Sequence, residues 1–114
     1  MEKYSDHEKE WLQHHYNMWN EIVEALKEDS SIDINIVKRQ YIQQHNLEDA
    51  AVMWNCFLCD LYTCDKCPLY YKQGGTCSSM PFHNLYAIAA DQNTKYSRVD
   101  AAEEIRDCVI NWRY

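Results

Sequence analysis

The stretch "DHEKEWLQHHYNMWNEIVEALKE", residues 6–28, decides the fold, because its apolar side chains repeat with a helical period. The seam positions recur at spacings of three, four, three and four, which predicts one amphipathic helix facing a partner helix. Asp6, Glu8 and Glu10 load its first turns with negative charge, which the positive end of a helix dipole favours. The seam comprises Leu12, His15, Trp19, Ile22 and Leu26, and it is widened by Trp11, Met18 and Val23.

A second helix is expected from about residue 32 to residue 45. Ser30 followed by Asp33 resembles a capping box just ahead of it. The opening letters "IDINI" alternate with a period of two, which is typical of a strand, so a short strand at 32–36 is the alternative. The apolar positions of this helix are Val37, Tyr41 and Ile42.

The pattern predicts a third helix over residues 46–62, with Cys56 and Cys59 in its last turns. Residues 63–80 hold both glycines of the chain and one of its two prolines, which indicates an irregular loop.

Two more helices are predicted towards the C-terminus. Pro81 suits the first turn of one, "PFHNLYAIAADQN", and Ser97 with Asp100 resembles the cap of the other, "RVDAAEEIRDCVINW". Cys108 falls on the apolar face of the last helix, and we expect it to be a small buried hydrophobic residue. The inward positions are Leu85, Ile88 and Ala89 in the first of these helices, and Val99, Ala102, Ile105, Val109 and Trp112 in the second.

These segments predict a mainly α fold, a small four- or five-helix domain. With 114 residues, 46% of them hydrophobic, the chain suits one core, so residues 1–114 are expected to form a single domain. A Cys-rich knuckle, residues 56–80, is then inserted between helices.

The charge balance bears on which partners the chain can bind. Asp and Glu number 18 against 11 Lys and Arg, a formal net charge of −7, and the longest basic run is Lys38-Arg39. Direct nucleic-acid binding is disfavoured, because the phosphate backbone requires clustered cations. The N-terminal stretch has no apolar signal segment and no stretch is apolar enough to span a membrane, so we expect a cytoplasmic protein without membrane contact.

The cysteines form the strongest chemical signal in the sequence. The pattern C-x2-C-x4-C-x2-C-P followed by x9-C is formed by Cys56, Cys59, Cys64, Cys67 and Cys77. Two C-x2-C pairs are the usual metal knuckle, because the two-residue gap turns both sulfurs towards one ion. We expect a structural Zn²⁺ held by four of these five thiolates, with His83 as a substitute ligand.

Two alternatives to zinc stay open. Cys67-Pro68 resembles the end of a ferredoxin motif and so allows an iron–sulfur cluster, although the full ferredoxin spacing is not matched. Disulfides or free thiols are the other alternative, although a reducing cytoplasm favours metal binding over disulfides.

The remaining chemistry-bearing residues do not indicate an enzyme. His15 falls on the apolar seam beside His14, which predicts a core histidine rather than a metal ligand. The carboxylates Asp49, Asp60 and Asp65 are scattered rather than paired, and no nucleophile has a visible base.

The letters "NCFLCDLY", "CDKCPLY" and "GGTC", within residues 55–77, resemble a pattern in small Cys-rich proteins of bacteriophages and Firmicute mobile elements. The resemblance implies a genomic setting in which short acidic proteins bind and block host enzymes, including nucleases of immune systems. The predicted function is therefore a non-enzymatic protein-binding module, whose partner is a host nucleic-acid-binding defence protein. The alternative is an iron–sulfur or thiol-based redox or sensing protein.

The surface expected to meet a partner combines acidic and aromatic side chains. Its candidate residues are Glu8, Glu10, Tyr70 and Tyr71. The aromatic seam of the first helix allows a homodimer as well, because such a seam suits either an internal or an intermolecular helix contact.

Overall fold

The computed structural model describes residues 6–47, 85–94 and 97–109, with side chains from Lys9 onward, and its longest element is the helix predicted first. Helix α1 spans Asp6–Glu28, so the predicted bounds are confirmed. Its seam is buried because the other described helices pack against that face. The seam residues without exposed surface, or with almost none, are His15, Met18, Trp19, Ile22, Val23 and Leu26.

Helix α2 spans Ile34–Gln44, so the prediction of a helix is confirmed and the alternative strand at 32–36 is wrong. The start also differs from the prediction, because Asp33 rather than Ser30 is the N-cap. The Asp33 side chain accepts a hydrogen bond from the Asn35 backbone N–H at 3.0 Å. This contact satisfies a donor of the first helical turn, which an alternating strand would not need.

The C-terminal end of α2 closes in a Schellman motif. The Leu47 N–H donates to the Ile42 carbonyl at 2.9 Å, and the Asn46 N–H donates to the Gln43 carbonyl at 3.3 Å. Asn46 has a φ of 55°, the left-handed conformation that this motif requires. Leu47 packs against the core, as the residue after such a cap commonly does. Residues 46 and 47, which were predicted to open a third helix, therefore belong to the cap of α2.

Helices α3, Leu85–Ala90, and α4, Arg98–Asp107, lie within the two C-terminal helices that the sequence predicts. The predicted cap of α4 is confirmed, because the Ser97 hydroxyl accepts from the Asp100 N–H at 3.1 Å. Ala89, Ala102 and Ile105 are buried as expected.

The helices assemble into a mainly α domain around α1. Helix α4 packs against both α1 and α3, and α2 packs against α1 and contacts α3. Ala101 and Ala102 of α4 are buried in the core, where small side chains allow helix backbones to approach closely. Residues 6–47, 85–94 and 97–109 contain no strand. Among these residues, no helix has both the length and the apolar character needed to cross a bilayer.

Asn46 provides a test of the cap. Asn46→Ala should lower the free energy of unfolding by about 1 kcal/mol. A side chain with a Cβ is unfavourable at positive φ, and alanine lacks the polar group by which asparagine offsets this cost. Asn46→Gly should leave stability unchanged or raise it, whereas Gln40→Gly, at an exposed position within α2, should lower it by roughly 1 kcal/mol. Urea unfolding measures all three, and equal losses in the two glycine variants would contradict the assigned cap.

Candidate functional site

Most of the predicted site residues lie outside the described residues. This holds for the five clustered cysteines, for His83, and for the third helix beyond Leu47. Glu10 is described and exposed, and its role as a partner contact stays a prediction. Among the described side chains, no group of three or more His, Cys, Asp and Glu residues is arranged to hold a metal ion. The predicted residues outside the described side chains are Cys56, Cys59, Cys64, Cys67, Cys77, Tyr70, Tyr71 and Glu8.

His15 is a core histidine, as predicted. Its side chain has no exposed surface, and its Nε2 lies 2.7 Å from the Ile105 carbonyl oxygen, across the contact between α1 and α4. A carbonyl oxygen can only accept, so Nε2 carries the proton. Burial lowers the pKa of His15 to about 4, although the hydrogen bond to Ile105 opposes this shift. The imidazole is therefore neutral at pH 7 and joins two helices.

Cys108 is only partly buried, and it packs against the core beside His15. Its Sγ lies 3.0 Å from the Ile105 carbonyl oxygen, to which it donates, and 3.8 Å from His15 Nε2. Because His15 Nε2 already carries a proton directed at that carbonyl, it cannot accept the thiol proton. The two side chains share one acceptor and do not form a thiolate–imidazolium pair.

His15 predicts a specific loss of stability in acid. Its folded-state pKa of about 4 lies below the ordinary value of 6.5, so the unfolded chain binds a proton first as the pH falls. The contribution of neutral His15 to the free energy of unfolding is complete above pH 6.5. It is lost progressively as the pH falls towards 4, by about 3 kcal/mol in total. Urea unfolding at a series of pH values measures this slope.

The matched variants are His15→Gln and His14→Gln. Glutamine at position 15 retains a donor for the Ile105 carbonyl but does not titrate, so the slope between pH 6.5 and pH 4 should flatten. His14→Gln leaves the buried imidazole in place and should keep most of the slope. A His15→Gln variant with the wild-type slope would contradict this assignment.

Two cationic side chains, Lys38 and Arg98, are buried. Their burial was not predicted from the sequence. Lys38 has no exposed surface, and its Nζ donates to the Tyr86 hydroxyl and lies 4.9 Å from the centroid of that ring. Arg98 is 5% exposed and donates from Nε to the Ala89 carbonyl at 2.9 Å and from Nη1 to the Ser30 carbonyl at 2.6 Å. Both cations are thereby withdrawn from the surface.

The surroundings of Arg98 keep its guanidinium charged. Burial lowers the pKa of Arg98, while the nearby carboxylates of Asp91, Asp33 and Asp29 oppose that shift. An arginine retains its proton under such conditions because its ordinary pKa is so high. Arg98 therefore serves as a fixed positive group that ties the turn after α1 to the end of α3.

The burial of Lys38 and Arg98 removes two cations from the described surface. Eight carboxylate side chains are exposed, against three cationic side chains. The exposed carboxylates are Glu10, Glu21, Glu24, Glu28, Asp29, Asp91, Asp100 and Glu104, and the exposed cations are Lys9, Lys27 and Arg39.

Four of these carboxylates form one row on the face of α1 opposite the seam, here called the acidic stripe: Glu10, Glu21, Glu24 and Glu28. Helical geometry brings these positions within a narrow sector, and at 1.5 Å per residue the row is about 27 Å long. Lys27 Nζ approaches Glu24 at 3.8 Å, a surface contact that neutralises little of the row. The acidic stripe thus consists of Glu10 near the start of α1 and a group of three carboxylates in its second half.

A shallow groove lies between α1 and the end of α4. Its volume is about 510 Å³, and it is lined by Lys9, Leu12, Gln13, Tyr16 and Val109. The Arg106 guanidinium lies 5.7 Å from the Tyr16 ring centroid at one side of this groove. That charge is already engaged, because Arg106 Nε and Nη2 contact the Asp107 carboxylate at 2.7 and 3.1 Å.

Comparison with protein-family models, with curated proteins and with solved structures finds no match to this chain.

Proposed function

We propose that this chain is a non-enzymatic, cytoplasmic module that binds a basic protein partner through its acidic surface. The observation that carries this proposal is the burial of Lys38 and Arg98, which leaves eight exposed carboxylates against three exposed cations on the described surface. A surface of one sign attracts partners of the opposite sign and increases their rate of association.

The acidic stripe provides the contact area for such a partner. Its carboxylates lie on a helix whose opposite face is buried in the core. The helix backbone therefore determines the positions from which these side chains extend. The stripe resembles a nucleic-acid strand in one respect, since both present several negative charges along one line. A protein groove lined with Lys and Arg would accept either ligand.

The partner class follows from this charge and from the resemblance to phage and mobile-element proteins. We infer a host nucleic-acid-binding defence protein, such as a nuclease or a CRISPR-type complex, whose basic channel the acidic stripe enters. Glu10 belongs to the stripe, and Glu8, Tyr70 and Tyr71 are the further contacts that the sequence predicts. Direct binding to nucleic acid is disfavoured, because the same negative surface repels phosphates.

A structural zinc completes the proposal. Four of the five clustered cysteines, Cys56, Cys59, Cys64, Cys67 and Cys77, would hold Zn²⁺ as thiolates, and the ion would supply folding free energy rather than chemistry. Four thiolates on a divalent ion add two net negative charges, which agrees in sign with the acidic surface.

Charge reversal on the acidic stripe tests the binding proposal. The measurement is inhibition of DNA cleavage by a panel of purified CRISPR-type effector nucleases, with DNA varied as the competitor. We expect the wild-type chain to inhibit at least one nuclease competitively, with inhibition weakening as salt is raised. Glu21→Lys with Glu24→Lys should weaken that inhibition roughly tenfold or more.

The matched control reverses two exposed charges on α4 instead, with Asp100→Lys and Glu104→Lys. This pair changes the net charge by the same amount but leaves the stripe intact, so inhibition should stay near that of the wild type. Equal losses in both double variants would refute a role for the stripe. Failure of the wild-type chain to inhibit any nuclease of the panel would refute the proposed partner class.

A further inference from the structure

Two imidazoles and a tyrosine meet where α1 packs against the C-terminal end of α2. His14 Nδ1 lies 2.7 Å from the Tyr41 hydroxyl oxygen. The His45 ring is stacked on the Tyr41 ring, with centroids 4.1 Å apart, and it meets the His14 ring edge-on at 5.4 Å. Tyr41 is fully buried, so this contact is part of the interface between the two helices.

The direction of the hydrogen bond between Tyr41 and His14 depends on whether His14 Nδ1 carries a proton. Gln13 Nε2 donates to Asn17 Oδ1 at 2.9 Å, which leaves the Asn17 amide N–H groups to donate elsewhere. Burial raises the pKa of Tyr41, while a hydrogen bond between the Asn17 side chain and that phenol opposes the shift. When His14 Nδ1 is unprotonated, the Tyr41 hydroxyl donates its proton to that nitrogen.

A proton added to His14 reverses this last hydrogen bond. With Nδ1–H facing the hydroxyl, the Tyr41 proton loses its acceptor, and a positive charge is placed on a half-buried ring. Burial and the neighbouring His45 both lower the pKa of His14, while Glu10, with a carboxylate oxygen 3.8 Å from His14 Nε2, opposes them. The other titratable group near the cluster in the described residues is Glu21, which acts on Tyr41.

The cluster lies at the point where α2 ends. His45 is the C-cap residue, its N–H donates to the Tyr41 carbonyl at 3.1 Å, and the next two residues form the Schellman motif. A change in the packing of Tyr41 and His45 therefore acts directly on the Asn46 and Leu47 hydrogen bonds. Because His45 belongs both to the cluster and to the cap, the cluster affects the end of α2 as well as the contact between the two helices.

We propose that His14 and His45, joined through Tyr41, form one proton-sensitive contact that holds the C-terminal end of α2 against α1 near neutral pH and loosens it in acid. Positive charge on both rings is unfavourable at this separation, and the Tyr41 hydroxyl can donate its proton to His14 only while His14 Nδ1 is unprotonated. The end of α2, rather than the buried centre of the helix, is the part that responds.

Nuclear magnetic resonance tests this proposal on the full chain. Titration of the His14 imidazole should give a midpoint that rises by about half a pH unit in His45→Gln, because His45, whose ring centroid is 5.4 Å away, no longer lowers the pKa of His14. Tyr41→Phe should raise the midpoint as well, because neutral His14 loses its donor. The control Tyr16→Phe removes a hydroxyl from another face of α1 and should not move it.

The wild-type chain supplies an independent readout. Relative to the Asp29 amide at the end of α1, which bonds to the Ala25 carbonyl, hydrogen-exchange protection of the Leu47 amide should fall about threefold or more between pH 7 and pH 5. A His14 midpoint that does not move in His45→Gln and Tyr41→Phe would overturn the proposal. So would Leu47 protection that is the same at both pH values.

Discussion

The apolar face of α1 is the constraint on which the rest of the described fold depends. Helices α2, α3 and α4 have 11, 6 and 10 residues, and helices of such lengths are marginal in water on their own. They become stable by burying apolar side chains against the 23-residue α1 or against neighbours that do so. Trp19 lies in this interface, with its ring 5.7 Å from that of Tyr86. The helices that cover the apolar face of α1 belong to the same chain.

The polar contacts across this core determine the character of the surface. Arg98 joins the turn after α1 to the end of α3, and Gln92 adds a second link, since its Nε2 donates to the Ser31 carbonyl at 2.9 Å. Lys38 extends from α2 to Tyr86 of α3. Each of these cations stabilises the packing of helices and is absent from the solvent-facing surface. The exposed cations left on the described surface are Lys9, Lys27 and Arg39.

The helices could be predicted from sequence where one local signal dominates. The bounds of α1 follow from an uninterrupted apolar repeat, and the start of α4 follows from Ser97 and Asp100. At α2 two local signals competed, and the Asp33 cap together with burial of Tyr41 and Ile42 favours the helix over the alternating strand. Asn46 gave no sequence signal beyond its identity, because many asparagines lie in ordinary turns.

The candidate site was predicted less completely, for a physical reason. Burial of a lysine or an arginine depends on partners far along the chain: Tyr86 is 48 residues from Lys38, and Ser30 is 68 residues from Arg98. Composition does not reveal which cations are buried, so the burial of Lys38 and Arg98 could not be predicted from it. The pairing of His14 with His45 likewise depends on how α1 meets α2. The cysteine pattern, in contrast, is a local signal that predicts a metal without any knowledge of packing.

Metal content with an absorption spectrum, on protein purified under reducing and oxygen-free conditions, tests the central claim most directly. A binding module with a structural metal should contain about one zinc per chain and show no visible colour. Cys59→Ser or Cys67→Ser should lower the zinc content and the melting temperature, whereas Cys108→Ala should keep the metal. Iron with broad visible absorption would instead indicate an electron-transfer or sensing protein. Protein without metal, or zinc lost in Cys108→Ala and kept in Cys59→Ser, would contradict the account.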